Sequence, residues 1–356
     1  MKKGIDISKF RKNITKNITG ISAGFNDPKH WIDTGSYALN YLITNDFKRG
    51  IPLGKITLLS GESGSGKSIL SAGSVAKHAQ EMGAFVVLLD SENALDEDWL
   101  INAGVDTDET KLLRIGVAMV DGVAKIINDF VKQYKEDYSD DLENAPKVLF
   151  VVDSLGMLLT PTDVDQFEKG DMKGDMGRKA KSITSLLRNL VHIIEPYNIG
   201  MVCTNHIYQS QDMFSPEPKI SGGEMVIFAP SISIALSKLK LKEDEEGKKT
   251  TNVRGIRAKC KVLKSRFSKP FETIELHIPY DTGIDRYSGL FDLFDKMGLL
   301  EKNGNRYRYV SKDGEELNGF KKEWLTDHSM FDKVIADLSE EDYEPTEPEP
   351  ESNESE

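Results

Sequence analysis

The chain has 356 residues and a net charge of −12, long enough for one large domain or two modest ones with a filled core. Its opening, MKKGIDISKFRKN, lacks the apolar run of a secretory signal, and no stretch reaches the roughly 18 apolar residues of a membrane span. Exported and membrane-spanning classes are set aside, and a cytoplasmic protein is expected.

The charge is unevenly placed. Residues 339–356 hold nine acidic side chains and no basic one, so the body is nearly neutral and a polyanionic partner is compatible with it. Two basic clusters stand within that body. Residues 2–16 carry Lys2, Lys3, Lys9, Arg11, Lys12 and Lys16 against Asp6 alone, and 254–269 carry seven Lys and Arg with no acid.

Along the chain, KITLLSG (55–61) reads as an apolar strand feeding the loop GESGSGKS (61–68), and SILSAGSVAKHAQEMG as the helix after it. AFVVLLDS (84–91) is a second strand, followed by a helix from about Glu97 to Ala103, the strand LLRIGV and the helix DGVAKIINDFVKQYKEDY. PKVLFVVDSLGML, the helix MGRKAKSITSLLRNLVHII and the strand GMVCTNH continue the alternation. Unbroken apolar strands alternating with helices predict an α/β fold with a mostly parallel sheet covered on both faces. Cys203 and Cys260 fall in such strands, have no CxxC partner, and read as core residues.

A long polar segment, 207–223, follows. SISIALSKLKL, RGIRAKCKVLKSRF and ETIELHIPY then predict added strands, the first two joined by an exposed tip, KEDEEGKKTTNV. Residues 285–338 predict a small mixed α/β region with an amphipathic helix (YSGLFDLFDKMGLL), a hairpin around Asn303–Gly304 and a last helix ending near Leu338. The acidic tail 339–356 has almost no apolar residues and is expected to be disordered.

Gly61, Gly66, Lys67 and Ser68 fit the phosphate-loop pattern, in which backbone amides across Glu62, Ser63, Gly64 and Ser65 cradle a triphosphate. In such a loop the lysine bridges the β- and γ-phosphates, the serine hydroxyl binds Mg²⁺, and a carboxylate ending an apolar strand holds the metal's water. VLFVVDS supplies that carboxylate as Asp153. Hydrolysis also needs a group to orient water. LLDSENALDEDW places Glu92 just past the end of the strand expected beside the phosphate loop, with Asp90 as a competitor that spacing alone does not exclude.

GESGSGKS, LLDSENALDEDW, VVDSLG, TNH with its long loop ending ISGGEMVIFA, and VLKSRFSKPF stand in the order and spacing of RecA-type strand-exchange recombinases. The stretch WIDTGSYALNYLI…GIPLGKITLLSGESGSGKS resembles the phage UvsX branch of that family. The resemblance runs from about Trp31 to Leu338.

It implies a RecA-like phosphate-loop ATPase core over 31–284, preceded by a basic docking arm (1–30) and followed by the small region 285–338 and the tail 339–356. It implies ATP and Mg²⁺ as ligands, Glu92 as general base and His206 as γ-phosphate sensor. Asp96 would read the adenine amino group and Trp99 would stack on the base. Lys264 and Arg266, one residue apart in KSR, would project to one face if their strand is regular, and reach a neighbour's γ-phosphate. Phe228 matches an interface residue linking nucleotide to DNA, and Phe10 a candidate for docking on the next subunit.

Two loops, about 163–177 and 207–223, resemble the family's DNA-binding loops. Met176, Gly177, Lys181, Thr184 and Arg188 fall where the first loop and its helix touch the DNA backbone, and Gly222 and Gly223 where the second does. Lys181, Thr184 and Arg188 share one helix face, a ladder suited to successive phosphates. Met176, Met213 and Phe214 are candidates to wedge between bases. The acids of the first loop (Asp163, Asp165, Glu168, Asp171, Asp175) depart from the bacterial pattern.

The resemblance implies an ATP-dependent homologous recombinase that polymerises on single-stranded DNA, searches duplex DNA and works with single-strand-binding and loading proteins, in a host cytoplasm if of phage origin. A hexameric helicase of the same fold is the alternative, disfavoured by the short stretch before Gly54. A nucleotide-gated scaffold without hydrolysis is a third reading, opposed by Glu92, His206, Lys264 and Arg266.

Overall fold

A computed structural model describes residues 27–170, 177–208, 219–222, 225–242, 251–270 and 272–339. A short antiparallel pair, β1 (Trp31–Ile32) and β2 (Ile51–Pro52), brackets α1 (Tyr37–Thr44). Then β3 (Ile56–Gly61) runs into the phosphate loop. The next helical segment opens as a π-helix, Ile69–Val75, and tightens to α2 (Ala76–Glu81), where an unbroken α-helix was expected. The Ser71 hydroxyl bonds the Lys67 carbonyl at 2.9 Å, competing with the backbone for that acceptor at the start of the wide turn.

The alternation continues with β4 (Phe85–Asp90), α3 (Glu97–Asn102), β5 (Leu112–Gly116), α4 (Val120–Tyr138) and β6 (Val148–Asp153). Next come α5 (Pro161–Glu168), α6 (Arg178–Ile194), β7 (Ile199–Tyr208), β8 (Lys219–Ile220) and α7 (Met225–Phe228). Three long strands follow, β9 (Ile232–Leu241), β10 (Gly255–Lys264) and β11 (Thr273–Pro279). The described chain closes with α8 (Leu290–Lys296), a small sheet of β12 (Glu301–Asn303), β13 (Arg306–Val310) and β14 (Glu316–Phe320), and α9 (Lys321–Thr326) and α10 (His328–Ser339). The hairpin expected at Asn303–Gly304 is therefore two-thirds of a three-stranded sheet.

The main sheet has the order β11-β10-β9-β3-β7-β6-β4-β5, with β8 pairing β7 at the side. From β9 to β5 the pairs are parallel, and β9, β10 and β11 add antiparallel strands at one edge. This is the expected α/β class. One detail differs: β4, which leads to Glu92, is not beside β3, because β7 and β6 lie between. Parallel strands are joined by crossovers, and the crossover from β3 to β4 spans the positions that β6 and β7 fill, whereas β4 and β5, and β6 and β7, are direct neighbours.

Alternate residues of each central strand fill two different cores. Val86 and Leu88, with Leu149 and Val151, join one apolar cluster with α1, α2 and the C-terminal helices. Val87 and Leu89, with Phe150 and Val152, join a second beneath α4 and α6. The apolar stripes of those helices, Val123, Ile127 and Val131 on α4 and Ile183, Leu187, Leu190 and Ile194 on α6, recur at three- and four-residue spacing and are buried. Cys203 and Cys260 are both fully buried, and burial pushes the Cys260 thiol up to about 12.

The C-terminal region shares the first core: Phe291, Phe294, Trp324 and Phe331 belong to the same cluster as Leu39 and Ile43. Asp33 and Arg286 add a 2.6 Å ion pair between the start of the described chain and that region.

Candidate nucleotide and nucleic-acid site

The C-terminal ends of the parallel strands collect the polar residues, as they do in open α/β sheets. At the end of β3 the chain turns through Gly61–Ser68. Gly61 has no room for a side chain, since a Cβ would stand 2.6 Å from the Leu236 carbonyl, and Gly64 and Gly66 hold φ of +71° and +94°. Ser65 is fully buried and its hydroxyl has no hydrogen-bond partner among the described residues.

The Lys67 ammonium is buried and donates to the carbonyls of Gly61 (3.0 Å) and Glu62 (2.9 Å). Burial pulls its pKa below the ordinary lysine value, against the opposing charges of Asp153 and Glu92. A second cation serves the same loop. Lys238 on β9 donates from Nζ to the Ser63 carbonyl at 2.5 Å, so three successive carbonyls are held by two ammonium groups. Lys238 was not among the candidates, being 175 residues from the loop in sequence.

Asp153 ends β6, almost wholly buried. Burial raises its pKa, while hydroxyl hydrogen bonds from Ser68 and Thr204 act in the other direction. Asp90, opposite Asp153 across β4 and β6, is buried and committed: it accepts from Arg114 Nη2 at 2.7 Å and from the amides of Glu92 (3.1 Å) and Leu95 (3.2 Å).

Glu92 is differently placed. Its side chain is 32% exposed, and Oε1 lies 2.9 Å from His206 Nε2 and 2.8 Å from the Ser154 hydroxyl that donates to it. Burial alone would raise the Glu92 pKa. The hydrogen bonds from His206 and Ser154 and the charges of His206 and Lys67 outweigh it and hold the carboxyl below its usual range. Although β4 is separated from β3, β7 carries His206 across from Gly61, its register partner.

Asp96 caps α3, accepting from the Trp99 amide at 2.7 Å. Trp99 is half-buried against the first core, and a Cβ on Gly73 would lie 3.8 Å from its ring.

The first predicted loop is partly helical. Thr160 and Asp163 form a reciprocal capping box and Pro161 opens the first turn, so α5 takes up most of 163–170. Gly177 caps α6 at φ +80°, and Lys181 and Arg188 lie exposed on the side opposite the buried stripe, with Thr184 half-buried between them. The second segment starts as strand: Ile207 and Tyr208 pair with Ile220 and Lys219. A Cβ on Gly222 would lie 3.7 Å from Ile183, so the second segment packs against α6, the helix that follows the first. Met176, Met213, Phe214, Gly223 and Phe10, and the tail from 340, lie outside the described residues.

The strand carrying Lys264 is not regular. The β9–β10 register shifts between Val262 and Lys264, and β10 ends at Lys264, leaving Arg266 beyond it. A shared strand face therefore does not hold the two cations together. Lys264 Nζ instead donates to the carbonyls of Phe228 and, at 2.6 Å, Pro230, while Phe228 is 58% exposed.

The sequence matches the RecA N-terminal domain family over residues 18–285. The chain belongs to the RecA family. It is 27% identical over 311 residues to Protein RecA of Chloroherpeton thalassium, an alignment covering 87% of this chain and 80% of that one. It is 28% identical over 316 residues to Protein RecA of Desulforapulum autotrophicum, covering 87% and 82%. Protein RecA of Geobacter sulfurreducens is 28% identical over 280 residues, covering 78% and 75%. The RecA-family match spans β3 to β11, and so takes in the phosphate loop, Glu92, Asp153, His206 and Lys264.

Three features escape the motif reading. Lys238 and Thr204 reach the site from distant strands, and Ser91 and Ser154 repeat the dipeptide Asp-Ser at the ends of β4 and β6. The place of Thr204 in TNH and that repeat were the available signals.

Proposed function

We propose that this RecA-family chain is an ATP-dependent homologous DNA recombinase of the phage UvsX type. It forms a helical filament on single-stranded DNA, searches duplex DNA and exchanges strands in recombination, repair and recombination-dependent replication. The observation that carries the reading is the meeting of the phosphate loop, Asp153 and a Glu92 fixed by His206 at one end of a parallel sheet.

The site suits a magnesium nucleotide. The unpartnered Ser65 hydroxyl and the glycine turns offer donors to phosphate, and Ser68 and Asp153 present hard oxygens side by side. Mg²⁺, when bound, would neutralise charge on the phosphates. Lys67 would exchange the carbonyls of Gly61 and Glu62 for phosphate oxygens. Glu92, kept ionised by its donors, would take the proton of a water attacking the γ-phosphorus as the bond to the β-phosphate oxygen breaks. Asp96 and Trp99 would contact the adenine.

Lys264 and Arg266 act on the nucleotide of the adjacent subunit, with Phe228 at that interface and Phe10 docking the arm 1–30 on the next copy. Gly177, Lys181, Thr184, Arg188 and Gly222 meet the DNA backbone, joined by Met176, Met213, Phe214 and Gly223. The core is 31–284, with 285–338 appended and the tail 339–356 screening duplex DNA. Single-strand-binding and loading proteins cooperate in a host cytoplasm.

The test is the ATPase rate with and without single-stranded DNA across protein concentration, with electron microscopy of the assemblies. A steep dependence on both, with helical filaments, is expected. Full turnover by an isolated subunit without DNA overturns the reading.

A further inference from the structure

Two strands of the sheet end on the same dipeptide. β4 and β6 run parallel with Asp90 opposite Asp153, so Ser91 and Ser154 follow just past the last rung of the ladder. The Ser91 amide donates to the Asp153 carbonyl at 2.8 Å. Beyond that point side chain replaces backbone: the Ser91 hydroxyl donates to the Ser154 carbonyl at 2.7 Å and accepts from the Ser154 amide at 2.8 Å. Ser154 is fully buried, and its own hydroxyl donates to Glu92 Oε1 at 2.8 Å.

The arrangement ties the turn that bears Glu92 to the strand that bears Asp153. A glutamate has three rotatable side-chain bonds, and a contact from His206 alone fixes one point of its carboxylate. A second donor on the same oxygen, itself immobilised by burial and by Ser91, fixes the carboxylate's plane as well. With both donors on Oε1, Oε2 is the oxygen left to accept the proton of a water molecule.

We infer that Ser154, clamped by Ser91, is a positioning residue for ATP hydrolysis that sets the orientation of Glu92. This rests on the reading of Glu92 as general base given above. It assigns Ser154 no contact with phosphate or metal, so its loss should leave nucleotide affinity alone and lower the rate of the chemical step.

The experiment uses the full chain with saturating single-stranded DNA and Mg-ATP. Ser154→Ala should lower kcat by about tenfold or more, with KM within about twofold of the parent. Ser154→Thr, which keeps the hydroxyl, should recover most of that loss, and Ser91→Ala should show a smaller loss of the same kind. A purely structural role would be indifferent to the state of Glu92. In a Glu92→Gln background, Ser154→Ala should change the residual rate by less than about twofold, because its effect passes through Glu92. An unchanged kcat in folded Ser154→Ala, or a full additional loss in the Glu92→Gln background, overturns the inference. If Ser154→Ala does not fold, Ser91→Ala decides, and an unaltered kcat there is equally fatal. Absence of DNA-stimulated hydrolysis in the parent protein would instead overturn the recombinase reading, and this inference with it.

Discussion

His206 Nε2 lies 2.9 Å from Glu92 Oε1 across 114 residues of chain. The contact joins the end of β7, which leads into the second predicted DNA loop, to a carboxylate whose charge bears on the phosphate loop's lysine. A single donor on a carboxylate alters both where it points and how readily it takes a proton.

Glu92→Ala should leave ATP and DNA binding intact and reduce turnover by on the order of 100-fold or more. A normal hydrolysis rate would move the role elsewhere. His206→Ala removes a donor that lowers the Glu92 pKa, so that pKa rises. With Glu92 as the proposed general base, turnover would require the ionised carboxylate, and the acid limb of the pH–rate profile should therefore shift to higher pH in the variant. An unmoved limb would show that the contact is not made during turnover.

Lys264→Ala combined with Arg266→Ala should abolish DNA-stimulated hydrolysis while each subunit still binds ATP. If the cations act across a subunit boundary, mixing this variant with Glu92→Ala subunits should restore some activity, because mixed neighbours rebuild a complete site. No recovery on mixing, with both variants assembled, would place the cations in their own subunit's site.

Lys181→Ala with Arg188→Ala should weaken single-stranded DNA binding and lower the slope of log affinity against log salt by about 1 to 2. Titrations over a salt series measure this directly. A parallel line with the same slope would mean that neither side chain meets a phosphate.

Asp33 should govern part of the acid stability. Burial raises its pKa, but hydrogen bonds from Asn40, Gly35 and Arg286 and the Arg286 charge hold it below its ordinary value. With the folded pKa below the unfolded one, the stabilisation is present above about pH 4 and fades as pH falls through the folded value. Asp33→Ala should cost roughly 1–3 kcal/mol at neutral pH. Urea midpoints measured from pH 7 to 3 should fall less steeply in the variant, and identical slopes would contradict the assignment.

Much of the fold could be read from the chain because its signals are local. The run VLFVVD is apolar along its length and proves buried along its length, and the stripes of α4 and α6 follow helical period. The phosphate loop was legible because glycine is required there by backbone geometry. What was not legible depends on contacts distant in sequence or on competition between local preferences. Strand order separates β4 from β3, and nothing in either strand states it. The capping box at Thr160 and Asp163 converts acids expected in a loop into the first turns of a helix. The bulge before Lys264 falls where the alternation of β10 stops, at the consecutive apolar pair Val262–Leu263, so that break alone had a local sign in the sequence.

The central sheet serves as a common wall, with neighbouring residues such as Val86 and Val87 facing opposite rooms. A slip of one residue in any central strand would exchange the furnishings of both rooms at once. Since Trp324 and Phe331 furnish the same room as Leu39, melting should begin in neither half alone. A calorimetric scan of the protein without ligands should trace one peak, with its calorimetric and van't Hoff enthalpies in agreement.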